Sequence, residues 1–524
     1  MKRKTLTTAV MAGLTGVAGM VGVANAVNLN PDGLGQVLLY PYYTARGGND
    51  TLISVVNTTS DAKAVKIRFL EALNSAEVLD FNLYLSPFDV WTGAITPNAD
   101  GGAKLVIADT SCTVPYFYGE QQSIAPGPAE VDFLPFEFQR GDGDGGAQGI
   151  ERTASGHLEI IEMGTLVDDN GVDLARDSAT AVTHVGGVPA DCQQLVDAWT
   201  SFPAGSDQDS YFNPSDGDDN TDDSNSVDLI EPSGGLFGGA SIINVAEGTM
   251  FSFNATAIDA FSTSISHTTP GSTLPNLNGA GQTSNVFVNG VVETDTWQTG
   301  IEAVSATVLF DRVMNEYVVN PELEARSEWV MTFPTKRAYV DAAAGVFGTV
   351  PTAPFTVEWN ADEARPGTAC EPVDFNFWNR EEAQPGEGPG PEPIRPIPSP
   401  PPDPTQPPPP DVFDLCFESN VLRFAGSEDI PTESEILKEP RFTTFPIADA
   451  GFKSGWVRFE FNSANPLIPA HETRAAADGT VYRGLPVIGF WVNTFSNGTL
   501  EGGNVLSNYG GTFQHRGSRE IVNQ

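Results

Sequence analysis

Basic residues are scarce in this chain. Over 524 residues, 27 Lys and Arg stand against 68 Asp and Glu, a formal net charge of −41. A field of that sign repels phosphate backbones and anionic headgroups, which argues against nucleic acid and anionic lipid as partners. Histidine is scarce too: His157, His184, His267, His471 and His515 lie scattered, with no H-E-x-x-H and no two at helical ligand spacing. The chain also lacks a G-x-S-x-G elbow, a Gly-Lys-[Ser/Thr] phosphate loop and any C-x-x-C. Those gaps leave serine-elbow hydrolysis, P-loop chemistry, thioredoxin-like exchange and zinc ribbons without support. Gly141, Gly143 and Gly146 do spell G-x-G-x-x-G, but Asp142 and Asp144 would repel a pyrophosphate, so the run reads as a turn. Among 68 acids, no carboxylate pair stands out as a glycosidase pair. Nothing reads as a conventional enzyme active site, and no cofactor is called for. Past residue 26, no stretch approaches the ~20 apolar residues of a spanning helix.

What is present begins with an export signature. Met1-Lys2-Arg3-Lys4 is a basic patch, Thr5 to Val23 is small and apolar, and Ala24-Asn25-Ala26 is an A-x-A exit. Together these predict a signal peptide over residues 1–26, with Val27 starting the mature chain. Four cysteines follow: Cys112, Cys192, Cys370 and Cys416. An even set in an exported chain predicts two disulfides with three connectivities open. Sequential pairing is preferred because each pair falls within one compositional block.

From Gln36 onward the pattern is that of strands. Val65, Ile67 and Phe69 alternate with Lys66 and Arg68, and Leu79, Phe81, Leu83 and Leu85 alternate with Asp80 and Asn82. A period of two places one face in a core and the basic side chains in water. Further strands are expected at 104–108, 157–163, 241–245, 250–253, 303–310, 328–332, 456–461 and 486–492. Short helices are expected from Asp191 through Trp199 and from Asn320-Pro321. The fold class is therefore mostly β, with one or two antiparallel β-sandwiches, long acidic and proline-rich loops and few short helices.

Residues 27–383 form the first β region, interrupted by an acidic, apolar-poor loop near 206–231. Residues 384–411 are proline-dominated and read as a loop or linker of extended polyproline type. Residues 412–524 are a C-terminal β region. A Cys370–Cys416 bond would tie the ends of the proline tract together and return the strand near Val412 to the sheet holding Val373–Phe377.

The acidic runs offer calcium the oxygens it requires. Asp142, Asp144, Asp216, Asp218 and Asp222 are the candidate ligands, with a solvated acidic loop as the competing reading. Asp142 and Asp144 fit the start of an EF-hand loop, yet Gly146 and Thr153 occupy later ligand positions. Aromatic residues supply the second candidate. Tyr40, Tyr42, Tyr43, Phe88 and Trp91, and later Trp456, Phe490 and Trp491, would line a glycan platform if exposed or a core if buried, with Trp91 and Trp491 as the anchors.

The stretch "VLLYPYYTARGGNDTLISVVNTTSDAKAVKIRFLEALNSAEVLDFNLYLSPFDVW" resembles the start of an uncharacterised family of secreted proteobacterial β-rich surface proteins. So do "GHLEIIEMG", "SEWVMTFPTKR" and "NYGGTFQHR" further along. "GWVRFEF" and "GLPVIGFW" are similar to small immunoglobulin-like surface modules. The resemblance implies architecture and location, and no catalytic residues. The expected function is that of an exported, non-enzymatic cell-surface or extracellular protein, structural or adhesive and stabilised by calcium if the acidic loops bind it. Its partners would be cell-surface components or copies of itself. The alternative is an extracellular carbohydrate-binding or carbohydrate-active protein.

Overall fold

The computed structural model describes residues 25–115, 117, 128–141, 143–168, 177–199, 212, 228–385, 396–398, 413–428, 430–462, 465–500 and 505–523. The expected signal segment up to Ala24, most of the acidic loop and nearly all of the proline tract lie outside the described residues. What is described is mostly β, 45% strand and 10% helix, in several antiparallel sheets with no barrel.

Residues 27–296 build two of these sheets. A ten-stranded sheet runs in the order 291–296, 283–288, 27–29, 256–259, 37–44, 155–166, 62–71, 77–85 and 112–114, with 229–230 added beside 155–166. A six-stranded sheet runs 249–254, 236–244, 49–57, 90–97, 103–107 and 129–132. The period-of-two pattern sends Val65, Ile67, Phe69, Phe81 and Leu83 of the first and Ile53, Val55, Trp91, Ile95 and Leu105 of the second into one apolar cluster.

Residues 312–518 build two more large sheets. A five-stranded sheet runs 413–415, 371–379, 454–460, 312–318 and 516–518, and a second six-stranded sheet runs 397–398, 442–445, 419–424, 325–332, 488–495 and 509–514. Trp329, Phe424, Phe445, Val457 and Phe459 lie at the centre of their shared cluster. That cluster continues into Val37, Leu39 and Ile161 of the ten-stranded sheet, so one core spans both halves. These sheets draw strands from both sides of the proline tract. Glu371–Asn379 pairs with Phe413–Leu415 on one edge and with Ser454–Glu460 on the other. The change of sheet falls near residue 310, well before the compositional boundary at 384.

Both disulfides join the sequential partners, Cys112–Cys192 and Cys370–Cys416. Lys336, fully buried, donates to the carbonyl oxygens of Ala369 (2.6 Å), Leu415 (3.3 Å) and Phe417 (3.4 Å), tying together the backbone around the second bridge. Burial lowers its ammonium to about 8.

Three expectations change. The apolar run at 303–310, expected as a strand, is mostly the helix Gly300–Val308. All nine of its residues are buried, so no amphipathic period marks it. Its sequence signal is the capping box of Thr299 and Glu302. Asn320-Pro321 opens only a single 3-10 turn, Pro321–Leu323. Lys66 and Arg68 are not in water: residues 267–271 cover that face of the sheet, and Lys66 reaches the Thr269 carbonyl at 3.2 Å.

Candidate binding surfaces

The aromatic platform expected around Trp91 and Trp491 is core. Trp91 is 0% exposed and Trp491 5%. Trp91 shares its inward face with Ile95, beside Phe81. Trp491 lies directly opposite Trp329 in the sheet and donates its indole N–H to Ser327 Oγ at 3.1 Å. Neither ring has a face to offer a sugar. Tyr40, Tyr42, Tyr43 and Phe490 are buried as well, whereas Phe88 is 68% exposed.

Of the calcium candidates, Asp142, Asp216, Asp218 and Asp222 lie outside the described residues. Asp144 is described, and its carboxylate is engaged by Arg152 at 2.5 and 2.8 Å and by the Gly146 N–H at 3.0 Å. These contacts hold its carboxyl below the usual range despite burial. No group of three or more His, Cys, Asp or Glu placed to hold a metal occurs among the described residues.

The buried ionisable groups of the ten-stranded sheet are engaged structurally. Lys63 pairs with Glu162 at 2.9 Å, Lys66 with Asp80 at 3.2 Å, Arg68 with Glu77 at 2.7 Å and Glu159 at 2.9 Å, and Arg152 with Glu71 at 2.8 Å. Cross-strand register places Asp80, Arg68 and Glu159 in one row. Burial drives the carboxyl of Glu159 up against the pull of Arg68. Three histidines, His157, His267 and His515, are pushed down to about 3 by burial and so stay neutral near pH 7.

Two surfaces remain open. The first is the outer face of the N-terminal six-stranded sheet. Met250, Phe237, Leu52 and Val90, between 43% and 56% exposed, stand there among Ser241, Ser252, Ser54 and Thr92. Asp50 is the only ionisable side chain at the outward positions of the strands 249–254, 236–244, 49–57 and 90–97, and desolvation raises its carboxyl.

The second is the outer face of the five-stranded sheet. Val373, Phe375 and Phe377 alternate inward, which sends Asp374, Asn376 and Trp378 outward. Val457 and Phe459 do the same for Trp456, Arg458 and Glu460. Trp378 and Trp456 sit directly opposite each other and stack with centroids 4.1 Å apart and planes 9° apart. The Arg458 guanidinium lies 5.1 Å from the Trp378 ring centre and pairs with Glu460, which accepts from Asn376 at 3.1 Å. Glycine is required at 455, because a Cβ there would come within 1.8 Å of the Trp378 carbonyl oxygen. Sequence reasoning had named Trp456 but missed Trp378. The signal was the odd-numbered phenylalanines, which fix the parity of position 378.

Neither a family model, nor a curated protein, nor a solved structure matches the chain. No helix among the described residues is long and apolar enough to cross a membrane.

Proposed function

We propose that the chain is an exported, non-enzymatic surface or extracellular protein, built of two face-to-face β-sandwiches, that acts by contact as a structural or adhesive element. The observation that supports this most is the charge-poor outer face of the strands 249–254, 236–244, 49–57 and 90–97, four of the six in the N-terminal sheet. On a chain of net charge −41, a four-stranded patch whose only outward ionisable group is Asp50 is where a second such patch approaches with little like-charge repulsion. A second copy is the occupant that fits best, since the face meets its own equivalent with apolar and hydroxyl groups on both sides. The two disulfides and the basic, apolar, A-x-A start of the sequence support an oxidising compartment.

Fractionation of the native cell, together with sedimentation of the purified chain, tests the reading. The expected outcome is protein outside the inner membrane that self-associates, with Leu52→Glu and Met250→Glu shifting it to monomer. Cytoplasmic protein, or association unchanged by both substitutions, defeats it. A second reading, extracellular carbohydrate binding, is supported by the Trp378–Trp456 pair.

A further inference from the structure

We infer that the end of the five-stranded sheet beside Trp378 and Trp456 is a binding site for a neutral pyranose, formed by the tryptophan pair and the polar cavity next to it. This deepens the carbohydrate reading and owes nothing to the charge-poor face of the other sheet.

The cavity, about 250 Å³, is lined by Asn320, Asn379, Arg380, Glu381, Lys453 and Ser454, with Gly451 and Phe452 beside them. It begins one residue beyond the tryptophan pair on the same strands: Trp378 faces Trp456, Asn379 faces Gly455, and Val318 faces Ser454. Pockets for drug-sized ligands run ~300–1,000 Å³. This smaller space suits one sugar ring, with the next ring passing over the tryptophans.

The chemistry of the lining sets the ligand class. A pyranose presents an apolar C–H face and a rim of hydroxyls, each both donor and acceptor. Aromatic carbon complements the first, and planar amide, guanidinium and carboxylate groups complement the second. Both are present. Trp378 and Trp456 are half-buried and locked by mutual stacking and by Arg458, so little rotamer freedom is lost when they are covered. Among the described residues their indole N–H groups have no acceptor, a state shared only by the buried Trp91. By contrast, Trp199, Trp297, Trp329, Trp359 and Trp491 all donate internally. Arg380 makes no ion pair among the described residues, and the side-chain oxygen of Asn379 is committed to the N–H groups of Glu381 and Ala383, leaving its amide N–H₂ as donor.

Charge selects against an acidic sugar. Lys453 is paired with Glu322 at 2.8 Å, and Arg380 and Glu381 balance each other in sign. A uronate or sulfate would meet no net positive charge there and would face the overall negative field.

The test is an array carrying neutral and uronate-containing oligosaccharides, followed by calorimetric titration of the best neutral glycan against the full chain. Arg380→Ala and Trp378→Ala should each weaken binding about tenfold or more. Arg380 is exposed, so its loss leaves the melting temperature unchanged and separates binding from folding. Leu52→Glu should leave glycan affinity intact while changing self-association. The inference fails if no neutral glycan binds at millimolar concentration, if only acidic glycans bind, or if binding survives both Arg380→Ala and Trp378→Ala.

Discussion

The ten-stranded sheet and the pair of C-terminal sheets solve the same problem, covering both faces of an antiparallel sheet, by opposite chemistry. The first buries a row of charges, with residues 267–271 lying over Lys66 and Asp80: Lys66, Arg68, Asp80 and Glu159 are all buried, and each is paired. The second fills its interior with rings. Phe459 lies within 6.0 Å of the centroids of Trp329, Phe375, Phe413 and Phe445. Buried ion pairs recover little net energy after desolvation, but they penalise any register in which one partner is lost. Aromatic clusters give transfer energy and tolerate small shifts. The charged half therefore holds its strand register through the cost of mispairing, and the aromatic half supplies the larger share of cohesion.

The sharpest way to break that distinction is Arg152→Met. Arg152 is 1% exposed and holds Glu71 and Asp144 together beneath the Phe138 ring. Its loss leaves the buried Glu71 carboxylate without a counter-charge, held only by the N–H groups of Leu73, Asn74 and Ala76, a cost of about 3 kcal/mol. Urea unfolding should show that loss, and added salt should not restore it, since a buried pair is poorly screened. A loss below about 1 kcal/mol would put the pair in the class of surface ion pairs. In the aromatic half, Phe459→Ala should cost about 3–5 kcal/mol through cavity and lost transfer, and Phe459→Leu roughly 1 kcal/mol. The same urea series reads both. If Phe459→Leu costs as much as Phe459→Ala, shape rather than burial governs that core.

Each half also carries one bridge, which gives a smaller comparison. Replacing Cys370 and Cys416 together by Ser should cost roughly 2–4 kcal/mol, with the loop of 46 residues no longer closed in the unfolded chain. The Cys112–Cys192 bridge closes a longer loop, 80 residues, and chain entropy alone makes its removal about 0.5 kcal/mol dearer. Equal losses would mean that native packing around each bridge, not loop closure, sets the cost.

Legibility in the sequence followed burial on one face. Strands with one apolar and one polar side, such as Ser454–Glu460, carry a period of two, expected over 456–461; Leu236–Asn244 is expected only in part, at 241–245. Strands and helices covered all round are not marked in that way. In Ala62–Glu71 the alternating Lys66 and Arg68 signalled water and found a lid, because local spacing carries no information about residues 267–271. Gly300–Val308 was read as a strand because nine buried positions leave no stripe. The site fared similarly. Bulk and position near strand motifs pointed to Trp91 and Trp491, whereas parity, the physically decisive signal, places those two inward and Trp378 and Trp456 outward. Composition alone points to a boundary at the proline tract, whereas the cysteines on either side of it point to tied ends; Glu371–Asn379 pairs with Phe413–Leu415 across it.

The effect most specific to the charged half is its dependence on pH. His157 is 0% exposed, and both its ring nitrogens lack a partner among the described residues. Burial pushes its pKa down to about 3, with Arg68 pulling the same way and Glu71 opposing. In the folded chain the ring therefore stays neutral as pH falls, while in the unfolded chain it takes up a proton below about 6.5. The stability this group contributes is present above that value and is lost as pH falls towards 3. At pH 5 the loss is about 2 kcal/mol. Neighbouring Glu159, raised by burial, has the opposite sign, but it is common to parent and variant and cancels in their difference. His157→Leu should therefore flatten the change in unfolding free energy between pH 7 and pH 5 by about 2 kcal/mol. His267→Leu and His515→Leu, also at about 3, should act in the same direction. An unaltered slope in His157→Leu would mean that the ring accepts its proton in the folded state, and hence that water reaches the space it shares with Arg68 and Glu71.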